Sequence, residues 1–248
     1  MALQVGPNHE LNRAVLCWWE DQRRRHGFAA SLRIFLSELW GFACDSTPEQ
    51  RRRRYGDVEY DWNHHVDTTS ATVGWRDRLL GIFHSPYQPT EPALFHEMLQ
   101  ALRKDFADCT FVDLGSGKGR TVLMASDYPF RKIVGVELLP ALHRVAQENL
   151  QKYASTRQRC FALEARWGDA REFEFPAEPT VVYLFNPLPE AGLSVVVGNL
   201  ERSLVEHPRK VFVLYHNPLL EHVLAASRVL KRTGGTHQYS MYESAEAD

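Results

Sequence analysis

The apolar positions of this chain change their period near residue 90. Upstream, between residues 11 and 41, they recur at helical spacing. Leu11, Val15, Trp18 and Trp19 form one stripe, a break follows at His26 and Gly27, and Leu32, Phe35, Leu36 and Leu39 form a second. This predicts two amphipathic helices covering part of the core. Residues 51–92 interleave Tyr, Trp, His, Asp and Thr with few apolar runs, and read as a cap or loop segment.

Downstream, short apolar runs alternate with helical stretches. Residues 111–114, 132–136, 160–165, 180–185 and 210–215 each suit a strand buried on both faces. Helical patterns at 92–104, 121–127 and 218–226 separate or flank them. Residues 228–233 and 236–242 lie on either side of Gly234 and Gly235, a hairpin pattern around a Gly-Gly turn. Strand and helix in alternation predict an α/β fold with a mostly parallel sheet. The expected division is a helical and cap extension over 1–86 and an α/β domain over 87–248.

The first of these runs leads into the most informative stretch, FVDLGSGKGR at residues 111–120. Glycines directly after a buried strand let the backbone turn tightly and approach a ligand that a Cβ would exclude. Three kinds of loop compete for the stretch. A Walker loop needs four residues between its first glycine and a Gly-Lys-Ser/Thr, but Lys118 is followed by Gly119, so that reading fails. The dinucleotide fingerprint needs Gly or Ala where Arg120 stands, so a nicotinamide enzyme is the weaker alternative. What remains is D-x-G-x-G-x-G after a strand.

Polar groups follow at the ends of the later strands. Glu137 ends the second, 24 residues beyond Asp113, where an acidic group can accept hydrogen bonds from both hydroxyls of a ribose. Gly168, Asp169 and Ala170 follow the third, and Asn186, Pro187, Leu188 and Pro189 follow the fourth. Taken singly, these have plain structural explanations. Asp caps helices, and Asn before Pro suits a helix start at both Asn186 and Asn217. Only the ordered set favours a ligand site.

In that order the residues resemble the class I S-adenosylmethionine-dependent methyltransferases. The resemblance implies a Rossmann-like seven-stranded, mostly parallel sheet with an antiparallel C-terminal hairpin. It also implies S-adenosyl-L-methionine as cofactor, held by Asp113, Gly115, Ser116, Gly117, Gly119, Glu137, Leu138, Asp169, Ala170 and Asn186. Tyr87 and Thr90, just upstream of the first helix of the α/β part, resemble a Tyr-x-x-Thr loop of the non-SET histone lysine methyltransferase family, which lines the methionine end of the cofactor. The chain from about residue 87 also resembles a set of bacterial class I methyltransferase homologues, as does the upstream segment YGDVEYDWNHHVDTTSATVGW.

Asn186 and Pro187 resemble the start of the Asn/Asp-Pro-Pro-aromatic motif of amino-group methyltransferases, which implies that they aim an acceptor amine. Leu188 and Pro189 depart from it, because no aromatic is present to stack on a planar base or amide. The expected acceptor is therefore an amine on a small molecule or a protein lysine, with His216 or Glu190 as candidate bases. A non-catalytic binding module on the same fold remains the third reading.

Composition adds exclusions. The chain carries 29 Lys and Arg against 31 Asp and Glu, a balance that gives no global pull toward nucleic acid. Basic clusters at 23–25 and 51–54 read as solvated faces. Cys17, Cys44, Cys109 and Cys160 stand far apart, without a C-x-x-C pair, and suit reduced thiols in a cytoplasmic protein. His64, His65 and Asp67 lack a second cluster at ligand spacing, so no metal is expected. Charged and polar residues in the first dozen positions argue against a signal peptide, and no apolar run is long enough to span a bilayer, so no membrane partner is expected.

Overall fold

Five parallel strands come in sequence: β1 (Thr110–Leu114), β2 (Lys132–Glu137), β3 (Leu163–Trp167), β4 (Thr180–Leu184) and β5 (Val211–His216). Two more, β6 (Leu230–Gly235) and β7 (Tyr239–Ser244), complete a seven-stranded sheet in the order β3-β2-β1-β4-β5-β7-β6. In it β7 pairs antiparallel with both β5 and β6. The structure, a computed structural model, describes residues 19–20, 23–25, 27–45, 58–69 and 88–245.

The described helices are α1 (Phe28–Asp45), α2 (Val58–His64), α3 (Pro92–Ala101), α4 (Arg120–Ala125), α5 (Pro140–Lys152), α6 (Glu190–Glu206) and α7 (Glu221–Ala225). β1, β2, β4 and β5 are buried on both faces because each face meets its own apolar layer, whereas β3, at the sheet edge, is only half-buried to exposed, contrary to the expectation for its run. Val112, Val134, Val182 and Val213 pack with Leu193, Val196 and Leu200 of α6. Phe111, Ile133, Val181 and Phe212 pack with Phe95, Met98 and Leu99 of α3. The switch between neighbouring residues along each strand is the two-residue period of a β-strand.

Two compact units emerge: Asp57–Thr69 groups with Pro89–Asp248, and Met1–Gly56 groups with Ser70–Gln88. In the second of these, α1 carries Phe28, Leu32 and Leu36 as an exposed apolar stripe, and the Trp19 ring meets Phe28 and Phe35 edge-on. The residues Leu11, Val15, Trp18, His26 and Cys17, the cluster at 51–54 and the segment 70–87 lie outside the described residues, as do the side chains of Leu39 and Cys44.

Several local expectations are corrected. The supposedly irregular stretch contains α2, whose short apolar face lay below the length at which periodicity is readable. Edge strand β3 starts three residues later than its apolar run, at Leu163. Gly234 and Gly235 do not form the hairpin turn; they end β6, where a bulge falls between Arg232 and Gly234, and residues 236–238 make the turn. A Cβ on Gly235 would stand 2.3 Å from the Tyr239 carbonyl oxygen, so close strand approach is what requires glycine there.

Candidate active site

The carboxyl ends of β1, β2, β3, β4 and β5 carry the site. After β1 the chain turns through Gly115, Gly117 and Gly119, all left-handed with φ of 86°, 54° and 83°. Gly115 has a second constraint: a Cβ on it would lie 2.6 Å from the Pro187 Cβ. The loop after β1 and the loop after β4 thus touch through the missing side chain. Ser116 is buried beside Gly135 of β2.

Asp113 is 2 % exposed, and its carboxylate accepts the Thr121 hydroxyl. Burial pushes its pKa up to about 7. Glu137, at the end of β2, turns back toward the glycine loop. Its Oε2 accepts the Gly117 amide at 2.8 Å and its Oε1 accepts the Leu139 amide at 2.7 Å. A carboxylate offers about four acceptor directions, so these two bonds are compatible with further hydroxyl donors. Leu138 follows, half-buried, and its carbonyl accepts the Trp167 indole N–H at 2.9 Å. Asp169 caps a short 3-10 turn, Ala170–Glu172, accepting the Arg171 amide at 2.9 Å, and its carboxylate also pairs with the Arg171 guanidinium. Ala170 is buried beneath it.

At β4 and β5 the expectation of helix caps fails. Asn186 and Asn217 are both left-handed, with φ of 45° and 47°, and α6 and α7 begin later, at Glu190 and Glu221. Asn tolerates this backbone region better than other residues with a Cβ, which is the physical reason it stands at both tips. The Asn186 side chain joins the two: its Oδ1 accepts the Tyr215 hydroxyl at 2.8 Å and its Nδ2 donates to the Asn217 carbonyl at 2.7 Å. Tyr215 also accepts the Leu220 amide at 3.2 Å. Pro187 is half-buried against Gly115, and Leu188 turns inward to the core.

A second chain runs beneath. The Tyr183 hydroxyl, on β4, lies 2.8 Å from Thr90 Oγ1 and 2.8 Å from His216 Nδ1, all three residues being buried. Burial lowers the His216 pKa to about 4, so its imidazole is neutral at pH 7. Glu190, the other candidate base, pairs with His222 at 3.2 Å. Tyr87 lies outside the described residues.

Sequence reasoning missed Tyr183 and Tyr215, whose hydroxyls work inside otherwise apolar strands, and Trp167, whose indole N–H bonds the Leu138 carbonyl from exposed edge strand β3. It also missed the pairing of Lys118 and Arg120. Lys118 is 1 % exposed and bonds Asp67; Arg120 is 2 % exposed and bonds Asp61. Asp67 is thereby a partner of a lysine. His64 Nδ1 donates to the Tyr60 carbonyl at 3.0 Å, and its ring stacks between Tyr60 and Tyr153. Among the described residues no group of three or more His, Cys, Asp or Glu side chains converges as a metal site, and no helix is long and apolar enough to cross a membrane.

The backbone cradle at the glycines and the buried acidic group at the β2 tip fit an adenosyl cofactor, and the chemistry of the donors agrees with it. Residues 84–173 match the family described as histone methylation protein DOT1. No curated protein matches the chain. Solved structures with a similar course include an RNA methyltransferase from Salinibacter ruber in complex with S-adenosyl-L-homocysteine. It is 22% identical, with 63% of this chain and 92% of that one covered and a TM-score of 0.42. Another is a ribosomal protein L11 methylase from Lactobacillus delbrueckii subsp. bulgaricus, 14% identical, with 63% and 77% covered and a TM-score of 0.43. Those likenesses are partial, and the weight falls on the sheet itself. An antiparallel β7 between β5 and β6 is the closure expected of the methyltransferase sheet and not of a plain nicotinamide-binding one. Strand order and the antiparallel closure give the chain the Rossmann-like fold of the class I S-adenosylmethionine-dependent methyltransferases, and over residues 84–173 it is similar to the DOT1 family.

Proposed function

We propose that the chain transfers the methyl group to an amine, on a protein lysine or a small molecule, with Asn186 and Pro187 as the groups that hold the acceptor. The observation that carries this reading is Asn186, kept left-handed at the β4 tip with its amide fixed by Tyr215 and Asn217. A side chain fixed at both ends of its amide is preorganised, so little ordering is left to be done when an acceptor arrives.

The cofactor supplies an electrophilic methyl on a sulfonium, leaving orientation and proton handling to the protein. In this reading Gly115, Ser116, Gly117 and Gly119 border the cofactor with backbone. Glu137 takes the ribose hydroxyls, and Leu138, Asp169 and Ala170 border the adenine. Tyr87, Thr90 and Asp113 lie toward the methionine end. The Asn186 Oδ1 and the Pro187 carbonyl accept the N–H groups of the amine and so aim its lone pair in line with the methyl. A lysine acceptor must lose a proton first, and the burial that lowers the His216 pKa to about 4 disfavours its protonated form, so His216 is a poor base for that step.

Leu188 supports excluding nucleobase and glutamine acceptors, since this side chain is committed to the core and offers no plate for a planar group. The matched family, described by histone methylation, favours the lysine within the amine class. Buried free thiols at Cys109 and Cys160 support a reducing, cytoplasmic setting.

Mass spectrometry of a cell lysate incubated with isotopically labelled cofactor, with and without the protein, tests the reading. Label on nitrogen is the expected result. Asn186→Ala should cut transfer about 100-fold while S-adenosylhomocysteine still binds. Label on oxygen, carbon or sulfur, or full transfer by the variant, would overturn it.

A further inference from the structure

A class I cofactor loop needs little beyond glycines, yet here Lys118 and Arg120 alternate with Gly117 and Gly119, and both are buried. A buried cation is costly unless it is paired and hydrogen-bonded. Among the described residues, one segment far away in sequence, residues 58–69, supplies partners to both. Lys118 Nζ donates to Asp67 Oδ1 at 2.8 Å and to the Thr69 carbonyl at 2.6 Å. Arg120 Nε donates to Thr68 Oγ1 at 2.6 Å, its Nη2 stands 3.2 Å from Asp61 Oδ1, and its guanidinium lies 4.9 Å from the Tyr60 ring centroid.

The segment is itself prefolded around the same groups. Asp61 Oδ2 accepts the amides of Thr68 and Thr69 at 2.7 and 2.9 Å, and Asp61 Oδ1 accepts the Thr68 hydroxyl. Asn149 of α5 locks the arrangement from the third side. Its Oδ1 accepts the Asp67 amide at 2.8 Å, and its Nδ2 donates to the carbonyls of Asp67 at 2.7 Å and Lys118 at 2.9 Å. The glycine loop is therefore held twice: at Gly117 by Glu137, on the cofactor side, and at Lys118 and Arg120 by residues 58–69.

Left-handed glycines lose more conformational freedom on ordering than any other residue. A loop of them binds well only if something else holds the shape beforehand. We propose that residues 58–69 act as a strap that keeps the cofactor loop in its binding conformation, with Asp61 and Asp67 as positioning residues working through Arg120 and Lys118. The inference rests on the assignment of S-adenosylmethionine to this loop.

Full-length wild type and Asp67→Asn, an isosteric loss of charge at a half-exposed carboxylate, are compared by calorimetry with S-adenosylhomocysteine and by thermal unfolding. The variant should bind about 10-fold more weakly, within the usual range for coupling between sites, with the methyl-transfer rate at saturating cofactor unchanged. Asp67→Glu, which keeps the charge, should recover most of the affinity. Hydrogen exchange on the wild type gives a reading that does not depend on any variant folding: S-adenosylhomocysteine should slow the amides of residues 58–69 together with those of 115–120. Unchanged affinity in folded Asp67→Asn, or protection confined to the glycine loop, overturns the strap alone. A wild-type chain that takes up no S-adenosylhomocysteine overturns the cofactor assignment and the strap with it.

Discussion

At the tips of β1 and β2 the site is made of backbone: three left-handed glycines, the Gly117 amide on Glu137, and buried cations that tie the loop down. At the tips of β4 and β5 it is made of side chains in series, Tyr215 to Asn186 to Asn217 above and Thr90 to Tyr183 to His216 below. The first construction suits a ligand of constant shape, because backbone geometry leaves few ways to vary. The second can be retuned one hydroxyl at a time. In the proposed reading, the backbone half holds the cofactor and the adjustable half the acceptor, a division that suits a fold hosting many substrates.

The two halves meet at Gly115 and Pro187, so the largest effect should come from breaking that contact. Gly115→Ala forces a Cβ to 2.6 Å from the Pro187 Cβ on a backbone with φ of 86°. Overpacking and left-handed strain together should cost about 4 kcal/mol of stability. Thermal unfolding should report that loss, and calorimetry should find no S-adenosylhomocysteine binding in whatever folded protein remains. A stable variant that binds normally would mean that the halves do not share this contact in solution.

Each half also holds one buried titrating group, and the two respond to pH with opposite sign. Asp113 has a folded pKa of about 7 against about 3.9 unfolded, so between those values the folded state binds more protons and stability falls as pH rises. His216 has a folded pKa of about 4 against about 6.5 unfolded, so there the folded state binds fewer protons and stability rises with pH. In the wild type the slopes oppose each other. Urea unfolding across both full titrations, from below pH 4 to above pH 7, should show Asp113→Asn gaining about 4 kcal/mol of stability relative to wild type as pH rises, and His216→Asn losing about 3 kcal/mol. Parallel curves for both variants would deny that either group is titrating as its burial implies.

The same contrast explains what could be read from residues alone. Asp113, the three glycines and Glu137 stand at fixed positions after apolar runs, and the chemistry of a tight turn restricts what can occupy them, so the loop geometry at the β1 and β2 tips was legible. Asn186 was visible, but its conformation was misjudged, since Asn before Pro serves a helix cap and a left-handed tip equally well in sequence. Tyr183 and Tyr215 looked like strand residues, because a period of two marks which face a side chain takes and not what its hydroxyl meets, and His216 was named as a candidate base without its Tyr183 partner being visible. The pairing of Lys118 with Asp67 and Arg120 with Asp61 spans about 50 residues and leaves no local pattern.

The smallest change that should separate the halves is Tyr215→Phe. It removes one oxygen, which donates to Asn186 Oδ1 at 2.8 Å and accepts the Leu220 amide at 3.2 Å, and leaves the ring packed where it is fully buried. Losing a buried hydrogen-bonded hydroxyl should cost about 1 kcal/mol of stability, small enough for the variant to fold. With the Tyr215 bond gone, the Asn186 amide is held at one end only, by Asn217, and can rotate away from an acceptor. A loss of about 1.4 kcal/mol in the transition state corresponds to a 10-fold slower transfer. S-adenosylhomocysteine affinity should not change, because none of the groups that hold the glycine loop is touched. If affinity fell together with rate, the side-chain series at β4 and β5 would be part of the cofactor site, and the division between a backbone half and a side-chain half would have to be redrawn.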